Sequence, residues 1–220
     1  MDDTSVPYDE FRECLINLER INILTLAYRP VLRWLQLFKG QREKLVIVDA
    51  GCGGGDMLRR IAALTIKNNM KVALIGVDVN PWSRRAAESM DASPHISYET
   101  ADIFALDTGR HIDIILSSLF THHLADREII DLLKYMHQTS KKGWMINDLH
   151  RHPVPYFFIK TATRLFFKNR LTRHDAAISV ARSFTRKDWE ILLGDAGIAR
   201  ELVKIEWHFP FRYCVSCVKP

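Results

Sequence analysis

The sequence predicts an α/β fold built on a doubly wound, mostly parallel sheet, and three observations point to it. Short runs that are apolar on both faces recur at 45–48, 72–77, 112–116 and 144–146, as strands do when helices cover both sides of a parallel sheet. Segments carrying a helical apolar stripe separate them. Four glycines crowd into five residues after the first strand, the place where open α/β sheets bind ligands.

Taken in order, residues 1–42 read as a helical cap. Leu15, Leu18, Asn22 and Thr25 recur at helical spacing, and Pro30 breaks the run to open a second short helix ending at Gly40. After the first strand, 57–66 carries Leu58, Ile61, Ala62 and Thr65 on one face. Asn80 caps a helix that starts at Pro81, and 127–137 carries Ile129, Ile130, Leu133 and Met136. Residues 153–183 form a helical insertion outside the minimal sheet. Thr185 with Asp188 three residues on is a capping box for a last helix, which ends at Gly194 or Gly197. Residues 202–207 and 211–218 then flank His208–Phe209–Pro210 as an antiparallel hairpin. No repeat or linker divides the chain, so residues 1–220 are expected to be one domain.

Composition narrows the function classes. Of the 220 residues, 47% are hydrophobic and 26% charged, which excludes disordered and fibrous chains. Lys and Arg number 31 against 26 Asp and Glu, a net charge of +5. That is too weak for a nucleic-acid binder, so no nucleic-acid partner is expected. The four cysteines (Cys14, Cys52, Cys214, Cys217) are too few for a disulfide scaffold, and no apolar run approaches the ~18 residues of a bilayer span. A cytoplasmic location is the expectation. Cys214 and Cys217 invite a redox or zinc reading, but on one strand their sulfurs face opposite sides, which makes them packing residues.

The loop itself reads Asp49–Ala50–Gly51–Cys52–Gly53–Gly54–Gly55. Glycine lets a backbone approach a ligand closely. An acid at the loop entrance suits a cationic ligand, where a phosphate site would prefer donors and positive charge. Asp78 ends the second strand, the position that binds ribose hydroxyls in nucleoside-binding βαβ units.

Asp49, Gly51, Gly53 and Gly55 match an acid followed by three glycines at alternate positions, and in this the chain resembles the class I S-adenosylmethionine-dependent methyltransferases. The resemblance implies a Rossmann-like, seven-stranded sheet and S-adenosylmethionine as cofactor, converted to S-adenosylhomocysteine, with no metal. It implies that Asp49, Gly51, Cys52, Gly53 and Gly55 cradle the cofactor, that Asp78 holds the ribose and Val79 packs beside the adenine, that Asp102 and Ile103 meet the adenine amino group, and that Ser117 borders the methionine part. Residues 147–152 and 173–175 are similar to bacterial enzymes that methylate phenolic, polyketide-derived or quinone-precursor compounds. An NAD-dependent Rossmann enzyme is disfavoured because the glycines lack the G-x-G-x-x-G order.

Methylating a hydroxyl requires a base, and histidine is suited to neutral pH. His122 and His123 follow the fourth strand, and His150 and His152 follow the fifth. His150, whose loop would lie beside the acceptor, is the preferred base, ahead of His122 and His123. His174 with Asp175 is a further pair, and Asp148, His150 and His152 are a weak metal set. In the insertion, Phe157, Phe158, Ala162, Leu165 and Phe166 share one helical face and Lys160, Arg164 and Lys168 another. That pattern fits a lid over an apolar acceptor, a core helix, or transient membrane-surface contact through residues 153–170. The basic excess of the chain gathers there, with Arg170 and Arg173. Transfer of a methyl group to a hydroxyl of a small, largely apolar acceptor is therefore the leading expectation. Carbon or nitrogen methylation, and a cofactor-binding scaffold without catalysis, are its rivals.

Overall fold

A computed structural model of the chain describes residues 6–90, 93, 95–106, 109–166 and 169–220; the side chains of residues 166, 170, 171, 174 and 175 also lie outside the described set. The elements run α1 (Tyr8–Leu24), α2 (Arg29–Leu35), β1 (Leu45–Ala50), α3 (Asp56–Lys67), β2 (Val72–Asp78), α4 (Pro81–Met90), β3 (Ile96–Thr100), β4 (Ile114–Ser118), α5 (Asp126–Thr139), β5 (Gly143–Leu149), α6 (Pro153–Phe166), α7 (Arg170–Arg182), α8 (Arg186–Asp195), β6 (Lys204–His208) and β7 (Arg212–Val218). Together the strands form one seven-stranded sheet in the order β3-β2-β1-β4-β5-β7-β6. All pairs are parallel except β5 with β7 and β6 with β7.

The inner strands β1, β2 and β4 are buried on both faces because each face meets its own core. In β1, Leu45 and Ile47 join the cluster with α2 and α3, while Val48 and Ala50 join the one with α5 and α8. The period-2 alternation of Cβ directions produces this division. Cys214 and Cys217 follow the same rule, being free thiols buried in opposite cores, as expected of packing residues.

Strand β3 has no counterpart among the apolar runs of the sequence, since Ile96–Thr100 is a short edge strand. The capping box at Thr185 forms: its hydroxyl accepts from the Asp188 amide at 3.3 Å, and the Asp188 carboxylate accepts from the Thr185 amide at 2.6 Å.

The N-terminal helix is fastened over the sheet rather than packed into it. Phe11 and Leu15 of α1 meet Ala86 of α4 in a small third core. Asn147 of β5 donates to the Ala27 carbonyl at 3.0 Å, and the Arg59 guanidinium pairs with Glu19 at 2.7 Å. On the other side, Asn169, which caps α7, also donates to the Glu10 carbonyl. α1 and the α6–α7 insertion thus close over the carboxyl ends of the central strands.

The glycine loop is packed against β2 through Gly76. A Cβ there would lie 2.8 Å from Cys52 Sγ, Leu58 Cδ1 and Tyr98 Cδ1. Gly76→Ala should therefore cost about 1–3 kcal/mol by overpacking and lower the melting midpoint by roughly 3–10 °C. A thermal melt indistinguishable from wild type would contradict this packing.

Candidate functional site

A cavity of about 860 Å3 opens at the carboxyl ends of β1, β2, β4 and β5, where strand order reverses between β1 and β4. Leu18 and Asn22 of α1, with Thr25 just past its end, roof it, and Val154, Phe158 and Val180 close it from the insertion.

Its floor is the glycine loop. The amides of Gly51 and Cys52 both donate to the Val77 carbonyl, at 2.8 and 3.1 Å, and the Gly53 amide donates to Asp78 Oδ2 at 2.9 Å. Gly51 has φ +73°, and a Cβ on it would collide with the Phe120 ring. No other residue fits that position.

Three carboxylates surround this loop. Asp49 is 2% exposed, its Oδ1 has no hydrogen-bond partner, and burial together with Asp56 and Asp78 pushes its carboxyl well above the usual range. Asp78 Oδ1 accepts from the Asn80 amide at 2.9 Å. Asp56, the first residue of α3, accepts from Tyr28 Oη at 2.7 Å and Asn22 Nδ2 at 3.0 Å. A buried, partnerless oxygen among three acids calls for a cationic ligand group, which the glycine cradle leaves room to approach. The residues therefore fit a nucleoside that carries positive charge. Beside them, Val79 is exposed and Ile103 buried along the wall, and Asp102 Oδ1 caps the turn through the Phe104 amide at 3.0 Å.

Two residues expected to hold the cofactor lie off the lining of the cavity. Gly55 does not line the cavity: it packs on Tyr98, whose ring fills the space a Cβ would need. Ser117 is 1% exposed and pairs with Ile146 inside the sheet, so the wall passes instead to Ser118, Leu119 and Phe120 beyond it. The Cys52 thiol lines the cavity, and burial with the neighbouring acids pushes its pKa well up, so it is protonated.

The histidines separate by what their ring nitrogens face. His122 is buried, and its Nδ1 lies 2.7 Å from Asp148 Oδ1. Asp148 is wholly buried. Burial alone would raise its carboxyl, but the charge and hydrogen bond of His122, the Thr121 hydroxyl and the Leu149 amide outweigh this and hold it below the usual carboxylate range. A carboxylate only accepts, so Nδ1 of His122 donates to it, and in the neutral ring it is Nε2 that carries the lone pair. His150 is the reverse case. Its Nδ1 accepts from the indole N–H of Trp207 at 3.3 Å, and an indole only donates. The neutral ring then bears its proton on Nε2 and offers no free lone pair. Burial and the neighbouring His152 lower its pKa, which keeps it neutral. By geometry it is the neutral ring of His122, and not that of His150, that leaves Nε2 free to accept a proton. His123 lines the cavity with its ring centroid 4.3 Å from that of His122.

Asp148 turns toward His122 and away from any joint site with His150 and His152. Among the described residues no group of three or more His, Cys, Asp or Glu side chains is placed to hold a metal ion. The side chains of His174 and Asp175, like residue Lys168 and the side chain of Phe166, lie outside the described residues. On α6, Val154, Phe157, Phe158 and Leu165 are exposed, with Val154 and Phe158 at the cavity wall. Among the described residues no helix is long and apolar enough to cross a membrane.

Sequence reasoning did not single out Asp56, Tyr28 or Arg212, all of which line the cavity. An acid directly after the glycine run was a visible signal for Asp56; Tyr28 and Arg212 carry none, because tertiary pairing alone brings them there.

Residues 47–143 match the family model described as a methyltransferase domain. No curated protein matches the chain. Among solved structures, the fold is similar to that of magnesium protoporphyrin IX methyltransferase from Synechocystis PCC 6803 with bound SAM, at 16% identity and a TM-score of 0.61, covering 99% of this chain and 93% of that one. It is similar to the plantazolicin methyltransferase BpumL in complex with SAH (17% identity, TM-score 0.62, 100% and 87% covered). Human N-acetylserotonin methyltransferase in complex with SAM is also similar, at 16% identity and TM-score 0.66, with 97% of this chain and 56% of the human chain covered. At these identities the likeness carries the fold.

Proposed function

We propose that this chain, a methyltransferase that takes S-adenosylmethionine as its cofactor, methylates a hydroxyl of a small, largely apolar acceptor, phenolic or polyketide-derived. The observation that carries the reading is the His122–Asp148 pair buried in the wall of the cavity, with the His122 tautomer set by the carboxylate.

The bound cofactor supplies an electrophilic methyl group on a sulfonium, so the hard chemistry comes with it. The chain's part is to bind, align and deprotonate. Asp56 and Asp78 provide the negative field that a sulfonium and an amino group favour, an approaching cation offsets the burial and neighbouring charge that raise the Asp49 carboxyl, and the Gly51 and Gly53 backbone gives close approach. His122 Nε2 takes the hydroxyl proton as the oxygen becomes a nucleophile, and the Asp148 carboxylate stabilises the imidazolium that results. Leu149, Phe209 and Phe211 give the acceptor an apolar wall and help to exclude water. The exposed apolar side chains of α6 support approach of a lipophilic acceptor along that helix, from solution or from a membrane surface.

Carbon methylation of a quinone precursor is the second reading, since a base is also needed to remove a proton from an activated ring. Incubating the protein with a metabolite extract and S-adenosylmethionine labelled in its methyl group separates the two. The expected product, found by mass spectrometry, carries the label as an acid-resistant methyl ether. A label on carbon selects the second reading, and no labelled product removes both.

A further inference from the structure

Arg212, at the start of β7, is 2% exposed and forms part of the cavity wall. Its Nη2 donates to the Thr25 hydroxyl at 3.0 Å, while Nε and Nη1 have no partner. Burial draws its pKa down to about 10, with Asp148, Cys214 and Tyr28 opposing the shift, so the guanidinium remains charged at neutral pH. The Asp148 carboxylate makes no ion pair with it. Its oxygens are taken by His122, Thr121 and the Leu149 amide. A buried cation with unpaired N–H donors is costly unless a ligand completes it.

The position of Arg212 indicates which ligand. It pairs with Leu149 across β5 and β7, three strands from β1, a separation of roughly 14 Å at the usual strand spacing. The carboxylates that suit a cation lie at the other end, around β1 and β2. The wall around Arg212 is apolar and aromatic, with Leu149, Phe209 and Phe211.

We propose that Arg212 recognises an anionic oxygen of the methyl acceptor, which makes the acceptor a hydroxylated acid: an apolar body that carries a carboxylate as well as the hydroxyl to be methylated. Guanidinium is the side chain suited to this, since its planar donors match a carboxylate and it stays charged when buried. The inference rests on the cavity being the acceptor site as proposed above. It goes further, because an acceptor with a neutral end would leave Arg212 unpaired.

The cofactor's own carboxylate is the other source of such an anion, and the test separates the two. The S-adenosylhomocysteine-loaded protein is titrated with 6-hydroxy-2-naphthoate and with its neutral carboxamide, followed by ligand fluorescence. Wild type should prefer the carboxylate at least tenfold. Arg212→Met, which keeps the side-chain bulk, should erase that preference while S-adenosylhomocysteine affinity stays within twofold, and Arg212→Lys should retain part of it. Equal affinity of wild type for both probes, absence of naphthoate binding, or a preference surviving in Arg212→Met overturns the proposal. So does a fall in S-adenosylhomocysteine affinity of Arg212→Met beyond tenfold, since Arg212 would then hold the cofactor. Thermal unfolding of each variant in the presence of S-adenosylhomocysteine shows whether it is folded. Label transfer to a metabolite is measured separately, so methyl transfer stands or falls independently of Arg212.

Discussion

Asp78→Ala should lower affinity for S-adenosylhomocysteine by about a hundredfold or more, equivalent to ~3 kcal/mol. Two losses add. The carboxylate at the end of β2 is the group suited to a pair of ribose hydroxyls, and a charge-assisted hydrogen bond contributes about 1.5–3 kcal/mol. The same carboxylate also holds the binding loop, accepting from the Gly53 amide through Oδ2 and from the Asn80 amide through Oδ1, each at 2.9 Å. Without it the glycine turn loses one of its ties to β2, and only the Gly51 and Cys52 amides still hold it to Val77. Isothermal titration with S-adenosylhomocysteine is the direct measurement, with circular dichroism to confirm the fold. Unchanged affinity would remove Asp78 from the cofactor site and with it the assignment of the whole β1–β2 end. Glu99, which pairs with Arg110 at 2.8 Å away from the loop, is the control: Glu99→Ala should leave affinity unaltered.

The glycine-loop end of the cavity is legible in the sequence because it is local. Asp49, Gly51 and Gly53 lie on one turn that follows one strand, and Asp78 ends the next strand. Their spacing along the chain is close to their arrangement in space. The limits of that locality appear at Ser117 and Gly55. Both lie within a residue or two of the cavity: at Ser117 the side-chain direction alternates along the strand, so a one-residue error moves a side chain from wall to interior, and at Gly55 the chain has already turned into α3 against the Tyr98 ring. Strand β3 escapes notice for a different reason. Ile96–Thr100 reads Ile-Ser-Tyr-Glu-Thr, a short edge strand with only Tyr98 buried, so it lacks the two-faced apolar run that marks its neighbours.

The acceptor end is not legible, because its partners meet only through long-range pairing. Asp148 reaches His122 across 26 residues, Trp207 reaches His150 across 57, and Arg212 reaches Thr25 across 187. Position along the chain places His122, His123, His150 and His152 after strand ends and ranks them by nothing more. What separates them is the chemistry of the group on Nδ1, a carboxylate for one and an indole for the other. That depends on how the end of β5 meets the turn after β4 and how β6 meets β7.

The largest effect on turnover is expected at that carboxylate–histidine pair. His122→Ala should lower kcat by about 10²–10⁴, the usual worth of a positioned general base, and leave S-adenosylhomocysteine affinity unchanged. His150→Ala should change kcat by less than about tenfold, because its Nδ1 lone pair is already engaged and its Nε2 bears the proton. Asp148→Asn tests how the pair works. An amide can present either a donor or an acceptor to Nδ1, so the tautomer is no longer enforced, and the charge that stabilises the imidazolium is gone. Its kcat should fall by a similar factor, and the double variant should be no slower than His122→Ala alone, as for residues that act as a unit. The pH dependence of stability supplies an independent check. The Asp148 carboxyl is lowered in the folded protein, so its contribution is fully present above the unfolded pKa and is lost only as acid carries the pH down through the lowered folded value. At pH 7 the wild-type pair is therefore intact, and Asp148→Asn should remove a stabilisation that is present at neutrality and absent in strong acid. The melting midpoints of wild type and Asp148→Asn should converge as the pH falls below the usual carboxylate range. Wild-type turnover in His122→Ala would eliminate the base assigned here, and a double variant markedly slower than either single one would show that the two side chains act separately.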